Sequence, residues 1–187
     1  MRILIAGVLG GIAMFVWASI AHVATPLATI GLQPVPGGEA TIQDLHQRLG
    51  DKGALYFFPY TAVTDAKSMA DQEAKLKVEP SGLLAYQAPG SGGVMPRQLG
   101  VEFALEVIES LLTAVLLSVA VGFGARMRAA AMIGLVAAMA TNFSYWNWYG
   151  FSFDYTLANA FTELMKFVVA GVAIAFVLGR GDRTAQV

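Results

Sequence analysis

The sequence predicts an all-α membrane protein: four transmembrane helices, with a small α+β extracytoplasmic cap inserted between helices 1 and 2. Three observations carry this reading. Hydrophobic residues make up 56% of the chain and charged residues 13%, against about 45 to 50% and 25% in soluble domains. Four windows of the ~20 largely apolar residues needed to span a ~30 Å hydrocarbon core are bounded by turn signals; they run from Ile3 to Val23, Leu99 to Phe123, Ala129 to Tyr149 and Thr156 to Leu178. The stretch between the first two windows is polar and turn-rich. The chain therefore divides into residues 1–24 (helix 1), 25–98 (cap) and 99–187 (helices 2 to 4 with a short cytoplasmic tail).

The first window follows Arg2 and exceeds the ~7 to 15 apolar residues of a signal-peptide core, so it reads as a retained anchor. Gly11, Phe15 and Ala18 share a face with His22, and Gly7 lies at its edge. Small residues spaced by four let helices approach closely, which directs His22 toward a neighbouring helix.

In the cap, "TIQDLHQRLG" reads as a short helix capped by Thr41, with Asp44 three residues on, and ended by Gly50. "ALYFF" (54–58) reads as a strand stopped by Pro59. "TDAKSMADQEAKLK" reads as a helix capped by Thr64, "EPSG" as a turn, and "LLAYQ" as a second strand. "APGSGGVMP" is a hinge, with Pro96 suited to a first helical turn. So short a segment buries little surface alone, and packing on the outer helix ends would supply the rest. His46 reads as an ordinary exposed histidine.

Orientation follows from the basic residues, which gather in cytoplasmic loops. Arg126 and Arg128 in "GARMRA", Arg2, and Arg180 and Arg183 in "GRGDR" all fall on one side after an even number of crossings. Both termini are then cytoplasmic and residues 25–98 periplasmic in a bacterial inner membrane. The absence of cysteine excludes disulfide and thiolate chemistry. The net charge of −1 gives no electrostatic case for nucleic acid. No internal repeat supports an inverted-repeat transporter.

Charges inside the second and fourth windows are the candidate functional feature. At 100° per residue, Glu102, Glu106 and Glu109 form one stripe that Thr113 continues. Thr156, Asn159, Glu163 and Lys166 cluster on one side of the fourth. With a rise of 1.5 Å per residue, Glu106 and Glu163 each lie about 10 Å in from the outer side, and Glu109 and Lys166 about 15 Å. Glu109 is therefore expected to pair with Lys166. Asn142 and His22 are expected to face the same polar chamber, Asn142 from a face shared with Ala131, Gly134, Ala138 and Tyr145. A charge at mid-bilayer costs at least ~2.5 to 3.5 kcal/mol, so some compensation is required. The network either locks the helices together or forms a site.

No metal and no cofactor is predicted. His22, Glu102, Glu106, Glu109 and Glu163 are the candidate ligands if one binds, and they would suit Fe, Mn or Zn. The Glu-x-x-His pairs of bundle di-iron sites are missing. Between the third and fourth windows, Tyr145, Trp146, Trp148, Tyr149 and Tyr155 form an aromatic rim, with Phe151 and Phe153 among them. An interfacial belt accounts for most of it; a quinone, a pigment or a partner helix is the sharper reading. Asp154 is placed to cap the fourth helix or to pair with the cap.

The stretches "EPSGLLAYQAPG", "MPRQLGVEFALEVIESLLTA" and "WNWYGFSFDYTLANAFTELMKFVVAGV" resemble a group of hypothetical bacterial membrane proteins with no assigned activity, along the whole chain. The resemblance implies a four-span inner-membrane protein and transfers no site residue. The order of one span, a long outer loop and three spans also looks like claudin-type proteins. Their Trp and paired-Cys loop signature is missing, so that similarity stops at topology.

Small size, no repeat and no catalytic motif favour a non-catalytic accessory or assembly subunit of a larger bacterial membrane complex. Its expected partners are membrane lipids and other membrane subunits or a second copy. The alternatives are a small membrane enzyme or metal- or ligand-binding protein built on the carboxylates, and a proton-coupled transporter.

Overall fold

In the computed structural model, residues 1–91 and 95–184 are described, so the middle of the expected hinge and the last three residues lie outside the described residues. So do the side chains of Arg180 and Arg183, on which part of the orientation reading rests. The protein is mostly helical: α1 (Arg2–Val23), α2 (Gly38–Leu49), α3 (Ala66–Val78), α4 (Met95–Ser118), α5 (Phe123–Ala138), α6 (Ser144–Tyr149) and α7 (Phe153–Thr184). Two strands, β1 (Ala54–Phe58) and β2 (Gly82–Tyr86), pair antiparallel with Tyr56 opposite Leu84.

Three helical stretches are long and apolar enough to cross a membrane: Arg2–Val23, Phe123–Tyr149 and Phe153–Gly179. The helix matching the second window, α4, is not among them. Its 24 residues give it the length, but every 18-residue stretch of it contains Glu102, Glu106 and Glu109, more charge than an apolar span carries.

The chain forms two compact units, one of residues Met1–Gly31, Val94–Ser144 and Ser152–Val187, the other of Leu32–Gly93 and Tyr145–Phe151. These boundaries differ from the expected divisions at residues 24 and 98. Residues 25–31 belong with the helices, because a short 3-10 turn, Pro26–Ala28, is capped by Thr25 and leads to Gly31. At Gly31 φ is +78°, and an added Cβ would lie 2.5 Å from the Tyr155 amide nitrogen. Only glycine fits both the backbone turn and that approach.

In the helical unit α1 packs along α4 and α7, and α5 packs on the other flank of α7. Small residues make this possible. A Cβ on Gly7 or Gly11 would collide with the backbone of Leu111 or Val107 in α4, and Gly134 of α5 meets the Leu164 carbonyl of α7 as closely. The core at these seams holds Ala6, Met14, Ala114, Leu117, Ala130, Phe167, Ala170 and Ile174.

The buried face of α5 reads Arg126, Ala130, Gly134, Ala138; it contains the expected Gly134 and Ala138, while Ala131 is half-buried at its side. Beyond Ala138 the helix passes through a π-helical turn, Met139–Phe143. Such a turn widens the helix by one residue and displaces carbonyls from their usual N–H partners. Side chains fill in: Thr141 Oγ1 donates to the Ala137 carbonyl at 2.8 Å and Asn142 Nδ2 to the Ala138 carbonyl at 3.0 Å.

The turn between α4 and α5 is also shorter than the sequence predicts. The second window runs on to Phe123, but α4 ends at Ser118 and α5 starts at Phe123 after Gly122 (φ +84°). Arg126 and Arg128 therefore sit inside a helix. Arg126 is buried, with Nε 3.4 Å from the Leu117 carbonyl, one of the last four in α4 that lack an intrahelical donor. A cation there also complements the negative end of the helix dipole.

In the sheet-bearing unit, α2 begins at Gly38, three residues before the expected Thr41 cap. Thr41 instead lies inside the helix and donates to the Pro36 carbonyl at 2.8 Å. The start of α3 is capped by Asp65, not Thr64, in a reciprocal capping box with Ser68. The Thr64 amide donates to Ser68 Oγ at 2.9 Å, so threonine receives the cap instead of making it. His46 is half-buried and tied in: Tyr86 donates its hydroxyl proton to the Gly50 carbonyl at 2.9 Å and accepts from His46 Nδ1 at 2.8 Å, linking α2 to β2.

Candidate functional site

The polar centre of the helical unit is the ammonium of Lys166. Four carboxylates lie within 4.0 Å of its Nζ: Glu106 and Glu163 at 3.5 Å, Glu109 at 3.8 Å and Glu102 at 4.0 Å. Glu102, Glu106 and Glu109 share a stripe because positions i, i+4 and i+7 recur on one helical face. Glu163 and Lys166 are one turn apart on α7.

The seam brings the two stripes together through α1. A Cβ on Gly10 would run into Ser110 Oγ on one side and lie 3.1 Å from Ile174 on the other, so α4 and α7 converge across this glycine. One turn away from Lys166, Trp17 Nε1 donates to the Thr162 carbonyl at 3.0 Å and pins α1 to α7.

Burial differs sharply within the cluster. The side chain of Glu106 is 1% exposed and Lys166 10%, whereas Glu102 and Glu109 are 52% and 41% exposed. Both oxygens of Glu106, Oε2 of Glu109 and the hydroxyl of Ser110 are buried without a hydrogen-bond partner. At 3.5 Å the Glu106–Lys166 contact is an ion pair whose geometry falls short of a hydrogen bond. An ammonium offers three donors, fewer than the four carboxylates arrayed around it.

The other expected members do not join. His22 is exposed, with Nδ1 2.9 Å from the Ala18 carbonyl of its own helix; a histidine one turn from a helix end satisfies a local carbonyl before it reaches a distant carboxylate. The Asn142 amide is taken by Ala138 and by Thr141 Oγ1 at 3.0 Å. Asn159 donates to the Tyr155 carbonyl at 2.9 Å. Among the described residues no three His, Asp or Glu side chains converge in a way that would hold a metal ion.

The expected rim divides between the two units. Tyr155 belongs with the helices, while Tyr145, Trp146, Trp148 and Tyr149 belong with the sheet. There Tyr149 meets Phe57 of β1 edge-on at 6.4 Å, and Tyr145 lies 5.9 Å from Tyr149 and 5.4 Å from Phe151. Tyr149 thus joins this segment to the strand, while Tyr145, Trp146 and Trp148 stay exposed. Reasoning from sequence missed this, as it missed Trp17 and the burial of Arg126. Trp17 carried a signal: it sits well inside the first window, away from the ends where belt tryptophans gather.

Compared with protein-family models, curated proteins and solved structures, the chain matches none. The class supported here is a helical protein whose apolar helices are consistent with residence in a membrane.

Proposed function

We propose that the chain is a four-span protein of a bacterial inner membrane, with α4 as its second span, both termini cytoplasmic and residues 25–98 periplasmic, acting as a non-catalytic subunit of a larger assembly. The observation that carries this reading is the half-exposed pair Glu102 and Glu109 beside an ammonium already shared with Glu106 and Glu163. A carboxylate open to hydrocarbon costs at least ~2.5 kcal/mol on insertion scales, so a partner that covers them with cations or hydrogen-bond donors offsets a large penalty. A second copy docking symmetrically through this face would oppose like charges. The partner is therefore a different chain.

The test is extraction of native membranes in mild detergent after cross-linking, comparing wild type with the Glu102→Gln/Glu109→Gln double variant. Wild type is expected in a high-mass species and the variant as the free chain. A wild type that runs free, or a variant that stays in the complex, defeats the proposal.

One observation favours a second reading, proton-coupled transport: Glu106 is buried with both oxygens free of hydrogen bonds. In that case Glu106→Gln abolishes a pH-driven flux in proteoliposomes while the high-mass species persists.

A further inference from the structure

The sheet-bearing unit contains a cleft of about 340 Å³ between β1, α3, the start of β2 and the 148–150 segment. It lies at the lower end of the ~300 to 1,000 Å³ range of small-molecule sites. Phe57 and Tyr149, in edge-on contact, form one fixed wall. Trp148 and Tyr60 also line it; each is 73% exposed, and neither has a ring or hydrogen-bond partner among the described residues.

The polar groups of the cleft are specific. Gln72 Nε2 donates to the Pro59 carbonyl at 2.9 Å. Because a carbonyl can only accept, the amide's orientation is fixed by chemistry, and Oε1 is the atom left over. That oxygen is buried and has no partner, so a ligand in the cleft reaches it only when the side chains around it shift. Thr61 Oγ1 accepts from Lys75 Nζ at 3.1 Å, which leaves its own proton to donate. The hydroxyl of Ser81 is unengaged among the described residues, and no charged side chain lines the cleft.

We propose that this cleft binds a neutral sugar, with its C–H face stacked on Trp148 and one of its O–H or N–H groups donating to Gln72 Oε1. The alternatives fit less well. A phosphate or carboxylate finds no cation in the lining itself, the Lys75 ammonium standing behind Thr61 and already donating to it. A quaternary ammonium would use the aromatic faces but has no donor for Gln72, and a quinone ring presents acceptors to an acceptor. A sugar supplies donors, acceptors and an apolar face together. It arrives either as a free saccharide or as a glycolipid headgroup.

The test uses the full chain in nanodiscs, avoiding sugar-headed detergents that would compete. Saturation-transfer NMR with chitobiose probes the free form. Tryptophan fluorescence in discs with and without a monoglucosyl diacylglycerol probes the headgroup. Wild type is expected to respond to at least one, and a response to the glycolipid alone assigns the headgroup. Trp148→Ala and Gln72→Leu are each expected to weaken binding about tenfold or more, a loss of ~1.4 kcal/mol, with unchanged circular dichroism. Trp148 is exposed enough for its removal to spare the fold, and Tyr60→Ala provides a second exposed probe. No response to either sugar, or undiminished binding in Trp148→Ala or Gln72→Leu, overturns the proposal.

Discussion

The two units of this protein use polar side chains in opposite ways. In the helical unit the polar contacts that matter join distant parts of the chain: Lys166 to three glutamates of α4, and Trp17 to Thr162. In the sheet-bearing unit many are local, such as Asp44 with Arg48 at 2.8 Å and Asp65 with Ser68. Neither α2 nor α3 fully buries a single residue. Distance in sequence tracks burial here because a side chain leaves water only when another element covers it. Long-range polar contacts are therefore the costly ones to break, and local ones act on a single helix end.

The largest expected effect tests that contrast directly. Lys166→Met removes the one cation that, among the described residues, pairs with the four carboxylates, and stranding the partner of a buried pair costs about 3 to 5 kcal/mol. The purified variant should lose that much unfolding free energy in a denaturant titration. Adding Glu106→Gln should recover part of it, because Glu106 is the most buried of the four. A single variant as stable as wild type would mean that the cluster is compensated from elsewhere and that the two units are less different than they look.

The next effect separates charge from packing within the helical unit. Gly11→Val places a Cβ about 2.6 Å from the Val107 Cα, a contact that only backbone movement can relieve. Overpacking of this kind costs about 1 to 3 kcal/mol, and it should open α1 away from α4. Cysteine pairs placed along the two helices should cross-link more slowly in the variant. An unchanged rate would show that the seam yields without separating, and that the ion cluster alone holds α4 in place.

How much of this was legible follows the same division. The stripe of Glu102, Glu106 and Glu109 could be read from periodicity, and the nearness of Glu109 to Lys166, at 3.8 Å, from helical rise, because both depend on one helix at a time. The structure places Lys166 among four carboxylates instead of in a single pair, which depends on how closely α4 and α7 approach across Gly10; no local pattern encodes that. His22 and Asn142 lie on faces that read as inward, but local carbonyls claim them first. In the other unit, β1 matches the predicted strand residue for residue, since Pro59 ends it. The helix starts slipped, because Thr64 and Asp65 compete for one cap and only backbone geometry decides between them.

The smallest effect belongs to that cap. Ser68 donates its backbone N–H to Asp65 Oδ1 at 2.7 Å, and its hydroxyl reaches the same oxygen at 2.8 Å. These bonds favour the ionised carboxylate and hold Asp65 below its usual range, the backbone bond from Ser68 being the larger cause. A carboxyl lowered on folding contributes stability above its unfolded value and loses it as pH falls through the folded one. The cap should therefore remain engaged at neutral pH and release only in acid below the ordinary carboxylate range. Amide exchange at Ala66 to Met69 should report the release as lost protection. Asp65→Ala should show the same loss at every pH while the helical unit is untouched. Lost protection spreading into α1 or α7 would mean that this end of α3 is not an independent local element, and the contrast between the two units would fail where it is most easily tested.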